Sequence, residues 1–292
     1  MRTYVGAKFR NRRIGAIIAI GPGAVSFSLK LRPSIAADAP IVFVKFDEFR
    51  AGESVPPNST GIIAYKRFED LVKVARTLTP KAGQFVLIGT ELRSQPYRAQ
   101  YLPEIRALSS STNIADLTNL PFSETAQRVA NLPDDAVLIA LPTYEDVSGR
   151  IHNPIEAMRV LSAVANRPIV TDGEHLIAAG ATAGVLVSTT DLGRDIAKLT
   201  ARILNGEAAS AIPVETRDYN AVAFNAQGLK RWNIVEESLP PGSKVLFREV
   251  TVWQRYRWHI LIALAVLIVQ SLVIAGLLIE RHRRRAAERD SR

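Results

Sequence analysis

Up to residue 248 of this 292-residue chain, short apolar runs rich in valine and isoleucine alternate with amphipathic stretches. The runs "IGAIIAI" (14–20), "IVFVKF" (41–46), "QFVLIG" (84–89), "NIADLT" (113–118), "AVLIAL" (136–141), "PIVT" (168–171), "GVLVS" (184–188) and "AVAFN" (221–225) have the length and β-branched content of buried strands. Between them, Phe68, Leu71, Val72, Ala75 and Leu78 recur at helical spacing, as do Leu192, Ile196, Leu199 and Ile203. Asp191 is the expected N-cap of the second helix, and "NGE" stops it at Gly206. The alternation predicts an α/β fold, with parallel sheet flanked by helices. Proline-rich breaks at "SVPPNSTG" (54–61) and "SLPPGSK" (238–244) punctuate the layout, the second ending the globular part.

The pattern then changes. His259 to Ile279 carries no charge and is apolar on every face, and at about 1.5 Å per residue it is long enough to cross a hydrocarbon core. Arg281, Arg283, Arg284, Arg285, Arg289 and Arg292 follow it, whereas "TVWQRYRW" before it holds two arginines and two tryptophans. Positive charge and interfacial aromatics together place residues 280–292 in the cytoplasm and the globular part outside.

Charge distribution changes the functional picture more than its sum. Of the formal +9, five charges lie in residues 1–13 and a net three in residues 280–292, leaving one for everything between. Nucleic acid is therefore not an expected partner. With no cysteine, disulfides and thiolate metal sites are excluded. The N-terminal order of basic, apolar and small residues imitates a signal peptide, but Gly21, Pro22 and Gly23 interrupt it and Lys30 and Arg32 follow. The segment reads instead as a strand over 14–20, a "GPGA" turn and a helix over Ala24–Leu31. The chain is thus expected to begin inside a domain, without an export signal of its own.

In open α/β sheets ligands bind beyond the carboxyl ends of the strands. Those ends are "GPGA" (Gly21–Ala24), "GTE" (Gly89–Glu91), "PTYED" (Pro142–Asp146) and "TDGE" (Thr171–Glu174). Gly21, Gly23 and Ala24 either present backbone N–H groups to an anionic ligand or form an ordinary strand-to-helix turn. Tyr144 is expected to stack on a solute. Glu145 or Asp146 receives an amine, or both belong to a solvated acidic loop. Asp172 and Glu174 bind an amino group or serve as structural caps, and Thr182 in "GATAG" lines a hinge or occupies a tight loop. Catalysis has little support. The four histidines are scattered, and there is neither a phosphate-binding "GK[ST]" nor a "GxSxG" elbow, so no metal or cofactor is expected.

Four longer stretches carry a family resemblance. "GAIIAIGPGAVSFSLKLRPSIAADAPIVFV" is similar to the strand, ligand loop, helix and strand of the first lobe in type I periplasmic binding proteins of the ABC-transporter substrate-binding family. "STGIIAYKRFEDLVKVARTLTPKAGQFVLIGT" resembles that family's passage into the second lobe, and "DLGRDIAKLTARILNGEAASAIPVETRDYNAVAFNAQGLKRWNI" its closing section. "LPPGSKVLFREVTVWQRYRWHIL", with a span and basic tail, resembles the extracytoplasmic sensor part of bacterial sensor histidine kinases. The resemblance implies two lobes, 1–66 with 183–212 and 67–182 with 213–248, then a juxtamembrane stretch (249–258), a transmembrane helix (259–279) and a cytoplasmic tail (280–292). It also implies a two-component receptor in the bacterial inner membrane that binds a small solute between the lobes and dimerises through its transmembrane region. The kinase core is absent, so no kinase activity is expected of this chain. A non-signalling remnant or interaction module is the alternative.

Overall fold

The computed structural model describes residues 2–9, 12–49, 53–95, 98–248 and 252–290. It divides into two units, residues 1–247 and 248–292. In the first unit, helices α1 (Arg2–Phe9) and α2 (Pro22–Ile35) accompany strands β1 (Ile17–Ile20), β2 (Ile41–Lys45) and β3 (Ser59–Ala64). Next come α3 (Phe68–Leu78), β4 (Gln84–Ile88), α4 (Tyr101–Leu108), β5 (Ile114–Asp116), α5 (Phe122–Val129), β6 (Ala136–Ala140), α6 (Pro154–Val164), β7 (Ile169–Thr171) and α7 (Glu174–Ala178). The unit closes with β8 (Ala183–Val187), α8 (Thr189–Leu204), β9 (Glu215–Arg217), β10 (Asn220–Asn225), α9 (Ala226–Arg231) and β11 (Lys244–Leu246).

These strands form two sheets, β1-β2-β3-β9 and β11-β10-β8-β7-β6-β4-β5. The first is wholly parallel. In the second, β10 turns antiparallel to β8 and carries β11 alongside it. The central strands read as near-continuous apolar runs because both of their faces are covered. In β4, Phe85 and Leu87 meet α3 through Phe68, Leu71, Val72, Ala75 and Leu78, while Val86 and Ile88 face Met158 and Leu161 of α6. In β2, Val42 and Val44 pack on Leu192, Ile196, Leu199 and Ile203 of α8, while Ile41 and Phe43 face Val25 and Leu29 of α2. This is a two-lobed α/β architecture built on mostly parallel sheets.

The chain passes between the sheets after β3, after β8 and after β9. Two expected lobe boundaries therefore move. Residues 183–187 are β8, bonded to β7 and β10 in the seven-stranded sheet, so the second passage is at Ser188. Residues 215–217 are β9, bonded to β3, so the third lies beyond Arg217. Helix α2 runs from Pro22 through Pro33 to Ile35, longer than the expected 24–31. The cap of α8 is Ser188, whose side chain accepts from the Asp191 N–H, so Asp191 sits in the first turn and not at the cap.

In the second unit, α10 (Val252–Asp290) is a single 39-residue helix. It holds one stretch, Tyr256–Gly276, long and apolar enough to cross a membrane, with none of that stretch buried against protein. The stretch begins at Tyr256, ahead of the expected His259. Ser291 and Arg292 of the tail lie outside the described residues.

Candidate functional site

The parallel strands of both sheets end toward one cavity of about 360 Å³, lined by residues from successive strand ends. Ile20 ends β1, Phe46 follows β2, and Lys66 lies on the passage after β3. Arg98 comes from the segment between β4 and α4, Tyr144 follows β6 and Asp172 follows β7. Val187, Thr189, Leu192, Gly193 and Ile196 complete the wall from β8 and the start of α8. A mostly apolar wall with a few convergent polar groups is the usual composition of a small-molecule site.

Those polar groups form one network. The Arg98 guanidinium clasps the Asp172 carboxylate with two bonds, Nε to Oδ2 at 2.7 Å and Nη2 to Oδ1 at 2.9 Å. The Lys66 ammonium donates to the Asp172 carbonyl at 3.0 Å and lies 3.8 Å from Oδ2, and the Tyr101 hydroxyl reaches Oδ2 at 3.4 Å. The Asp172 side chain is 2% exposed. Burial opposes its ionisation, but the charges of Lys66 and Arg98 outweigh burial and hold the carboxyl below the ordinary range. Burial lowers the Lys66 pKa, with Arg98 acting the same way against the attraction of Asp172. Burial of the Tyr101 phenol beside Asp172 pushes its pKa well up, which keeps it a donor.

Further residues hold this network in place. Thr90 Oγ1 accepts from the backbone N–H groups of Tyr144 (2.7 Å) and Glu145 (3.0 Å) and donates to the Glu145 carbonyl, fixing the loop that carries Tyr144. Gln95 donates to the Thr90 carbonyl and accepts from Arg98 Nη1. Gln100 Nε2 donates to the carbonyls of Phe46 (2.7 Å) and Lys66 (3.3 Å), tying the second lobe to the first-lobe strand end and the passage.

The expected site residues scatter. Tyr144, 47% exposed, and Asp172 line the cavity together. Asp172 is already engaged by three side chains and is no free receptor for an amine. Asp146 lies outside the lining. Its 5%-exposed carboxylate accepts from the N–H groups of Phe122, Ser148 and Arg150, the Ser148 hydroxyl and His152 Nε2. The Ser148 bond leads the interactions that depress its pKa strongly. Asp146 therefore organises its loop. Glu145 bridges to Ile151 in that loop, also off the lining. Glu174 is exposed and lines a separate groove with Leu186 and Lys244. Thr182 is 1% exposed inside the second lobe, where its Oγ1 accepts from the Ile169 N–H, so it lines no hinge. The Gly21 N–H is spent on the Val44 carbonyl, and neither Gly23 nor Ala24 lines the cavity that Ile20 does.

Sequence reasoning missed Lys66, Arg98, Gln95 and Gln100. Lys66 carried a usable signal, because it follows a strand at a passage between lobes. Arg98, Gln95 and Gln100 sit in an irregular segment, and only the fold brings them beneath Asp172.

Comparison with known proteins places the chain in a family. A Clostridioides difficile tyrosine-binding protein is 25% identical over 203 residues, 66% of this chain and 56% of that protein, so the chain spans just over half of its relative's length. The ligand-free, open structure of a substrate-binding protein with adhesive properties from Clostridium difficile superposes with a TM-score of 0.66 at 18% identity, covering 85% of this chain and 83% of that one. A Streptococcus pneumoniae ABC domain in complex with L-Trp gives 0.56 at 15% identity, covering 84% and 85%. Both superpositions speak for the fold. Residues 55–239, more than half of the chain, match the model of the ABC transporter substrate binding protein family, and the chain belongs to that family.

Proposed function

We propose that this chain is a membrane-anchored, extracytoplasmic module that binds a small solute between its two lobes. The observation that carries the reading is the cavity at the strand ends of both sheets, where Lys66, Arg98 and Asp172 meet Phe46 and Tyr144. Its volume suits a solute of amino-acid size. The tyrosine-binding relative and the fold-level neighbour holding L-Trp support that size class. Tyr144 stacks on the solute and the cationic side of the Asp172 network meets its polar end. Because the wall comes from both lobes, the closed arrangement makes more contacts with the solute, and that difference in affinity shifts the population toward closure. The apolar stretch Tyr256–Gly276 anchors the chain in the bacterial inner membrane, with the arginine-rich tail in the cytoplasm. The signalling context belongs to the same proposal: closure passes along the connecting chain to the span, paired with a second copy, as in the sensor part of a two-component receptor.

The test is calorimetric titration of the full chain in lipid nanodiscs with aromatic amino acids, their deaminated analogues and a neutral sugar. Saturable heat with an aromatic solute, weakened in Tyr144→Ala and Arg98→Ala, is expected. Saturable binding of the sugar alone would refute the assignment.

A further inference from the structure

Charge bookkeeping in the cavity goes beyond size. Among the described lining residues Lys66 and Arg98 are cationic and Asp172 is the sole carboxylate. One carboxylate against two cations leaves an excess of one positive charge. The donors are also in surplus. Arg98 spends three N–H groups on Asp172 and Gln95, and Lys66 spends one on the Asp172 carbonyl, so each keeps donors in reserve. Among the described residues the remaining wall is Ile20, Phe46, Tyr144, Val187, Thr189, Leu192, Gly193 and Ile196, with no second acid. Gln100 Oε1 is a buried acceptor without a partner, but Gln100 does not line the cavity.

We propose that the cavity selects apolar or aromatic solutes that carry a carboxylate and no α-ammonium group, in preference to the zwitterionic amino acids. This rests on the solute-binding reading above. A carboxylate entering beside Lys66 and Arg98 neutralises the excess charge and uses the spare donors. An ammonium on the same solute meets two cations and a carboxylate that already accepts two bonds from Arg98 and one from Tyr101 and is paired with Lys66, so its desolvation is poorly compensated. Lys66 is the selecting group, because Arg98 and Asp172 neutralise one another and Lys66 does not have that carboxylate to itself. An incoming anion also offsets the burial that lowers the Lys66 pKa.

The experiment titrates the full chain in nanodiscs at neutral pH with L-tyrosine and hydroxyphenylpropanoate, and with L-tryptophan and indolepropanoate. The deaminated acid of each pair is expected to bind at least about tenfold more tightly, the scale set by leaving a charged group unpaired. Equal or tighter binding of the amino acids overturns this inference and leaves the solute-binding reading standing. No binding of any of the four by a chain whose circular dichroism is native overturns both. In Lys66→Gln the preference is expected to fall toward unity as the propanoates weaken. An undiminished preference in that variant removes Lys66 from the selecting role and the charge argument with it.

Discussion

Removing the Asp172 carboxylate leaves two cations in a buried network with nothing to balance them. Breaking a buried pair from one side typically costs about 3–5 kcal/mol, far more than the pair's net worth, because the orphaned charge stays behind. Asp172→Ala is therefore expected to lower unfolding stability by about that much in denaturant titration, while Glu156→Ala, which breaks an exposed pair with Arg159, changes it by less than about 1 kcal/mol. The pH dependence follows. The folded-state pKa of Asp172 lies below its unfolded value, so its contribution is complete above that unfolded value and is lost as pH falls through the folded one. Stability of the parent should fall as the medium is acidified below about pH 4, and that part of the slope should be missing in Asp172→Asn. A parent and variant with identical acid limbs would show that Asp172 is not depressed. That Tyr144 and Asp172 line the cavity was legible beforehand, because both follow the carboxyl ends of parallel strands. What the sequence hid is that Asp146, with the same local chemistry as Asp172, spends its acceptors on its own loop and on the Phe122 N–H at the start of α5. Partner count depends on contacts made at distance, and Arg98 lies 74 residues from Asp172.

Among the elements, legibility tracked how completely both faces are buried. β4 and β6 stand out as apolar runs because helices cover both sides, and α3 shows as a stripe because it packs by one face. β3 begins with Ser59 and Thr60, both buried, and the Thr60 hydroxyl is satisfied only by the Ile212 carbonyl 152 residues away. β9 is three residues at a sheet edge, and β11 another three at the opposite lobe's edge, so neither carries enough apolar sequence to register as a strand. Within β3, Gly61 pairs with Phe43, and a Cβ there would lie 2.2 Å from the Phe43 carbonyl oxygen. Gly61→Ala must push β2 and β3 apart at the centre of the first lobe. It is expected to destabilise by about 1–3 kcal/mol, the range for overpacking, and to do so as a lower denaturant midpoint with an unchanged slope. Leu71→Ala, at the centre of α3 and 1% exposed, is expected to cost about 2–5 kcal/mol from the opposite defect, a cavity. If Gly61→Ala were neutral, the close approach of β2 and β3 would be wrong.

At the scale of the whole molecule the two units treat their apolar side chains differently. Residues 1–247 bury their apolar runs between helices, whereas Tyr256–Gly276 exposes leucine, valine and isoleucine on every face. An apolar surface of that extent is not stable in water, and at about 1.5 Å per residue its 21 residues span about 31 Å, the thickness of a hydrocarbon core. The expected outcome is that the chain stays with the membrane pellet after alkaline carbonate extraction. A pair of charges in the middle of the span, Val266→Arg with Val269→Arg, costs about 2.5–3.5 kcal/mol each on insertion and should release the chain to the supernatant. Release of the unaltered chain would end the anchoring proposal. Orientation is a separate matter, because a span of either direction survives the wash. It rests on the six arginines after residue 280 against Arg255 and Arg257 before the span. Since basic residues near the span are retained on the cytoplasmic side, a cytosol-active reporter fused after Arg292 should be active and a periplasm-active one silent. Replacing Arg281, Arg283, Arg284 and Arg285 with glutamine removes most of the asymmetry. A fraction of the periplasm-active reporter should then become active, in proportion to the charge removed. If the unaltered chain already activates that reporter, the globular unit faces the cytoplasm, and the solute cavity with it.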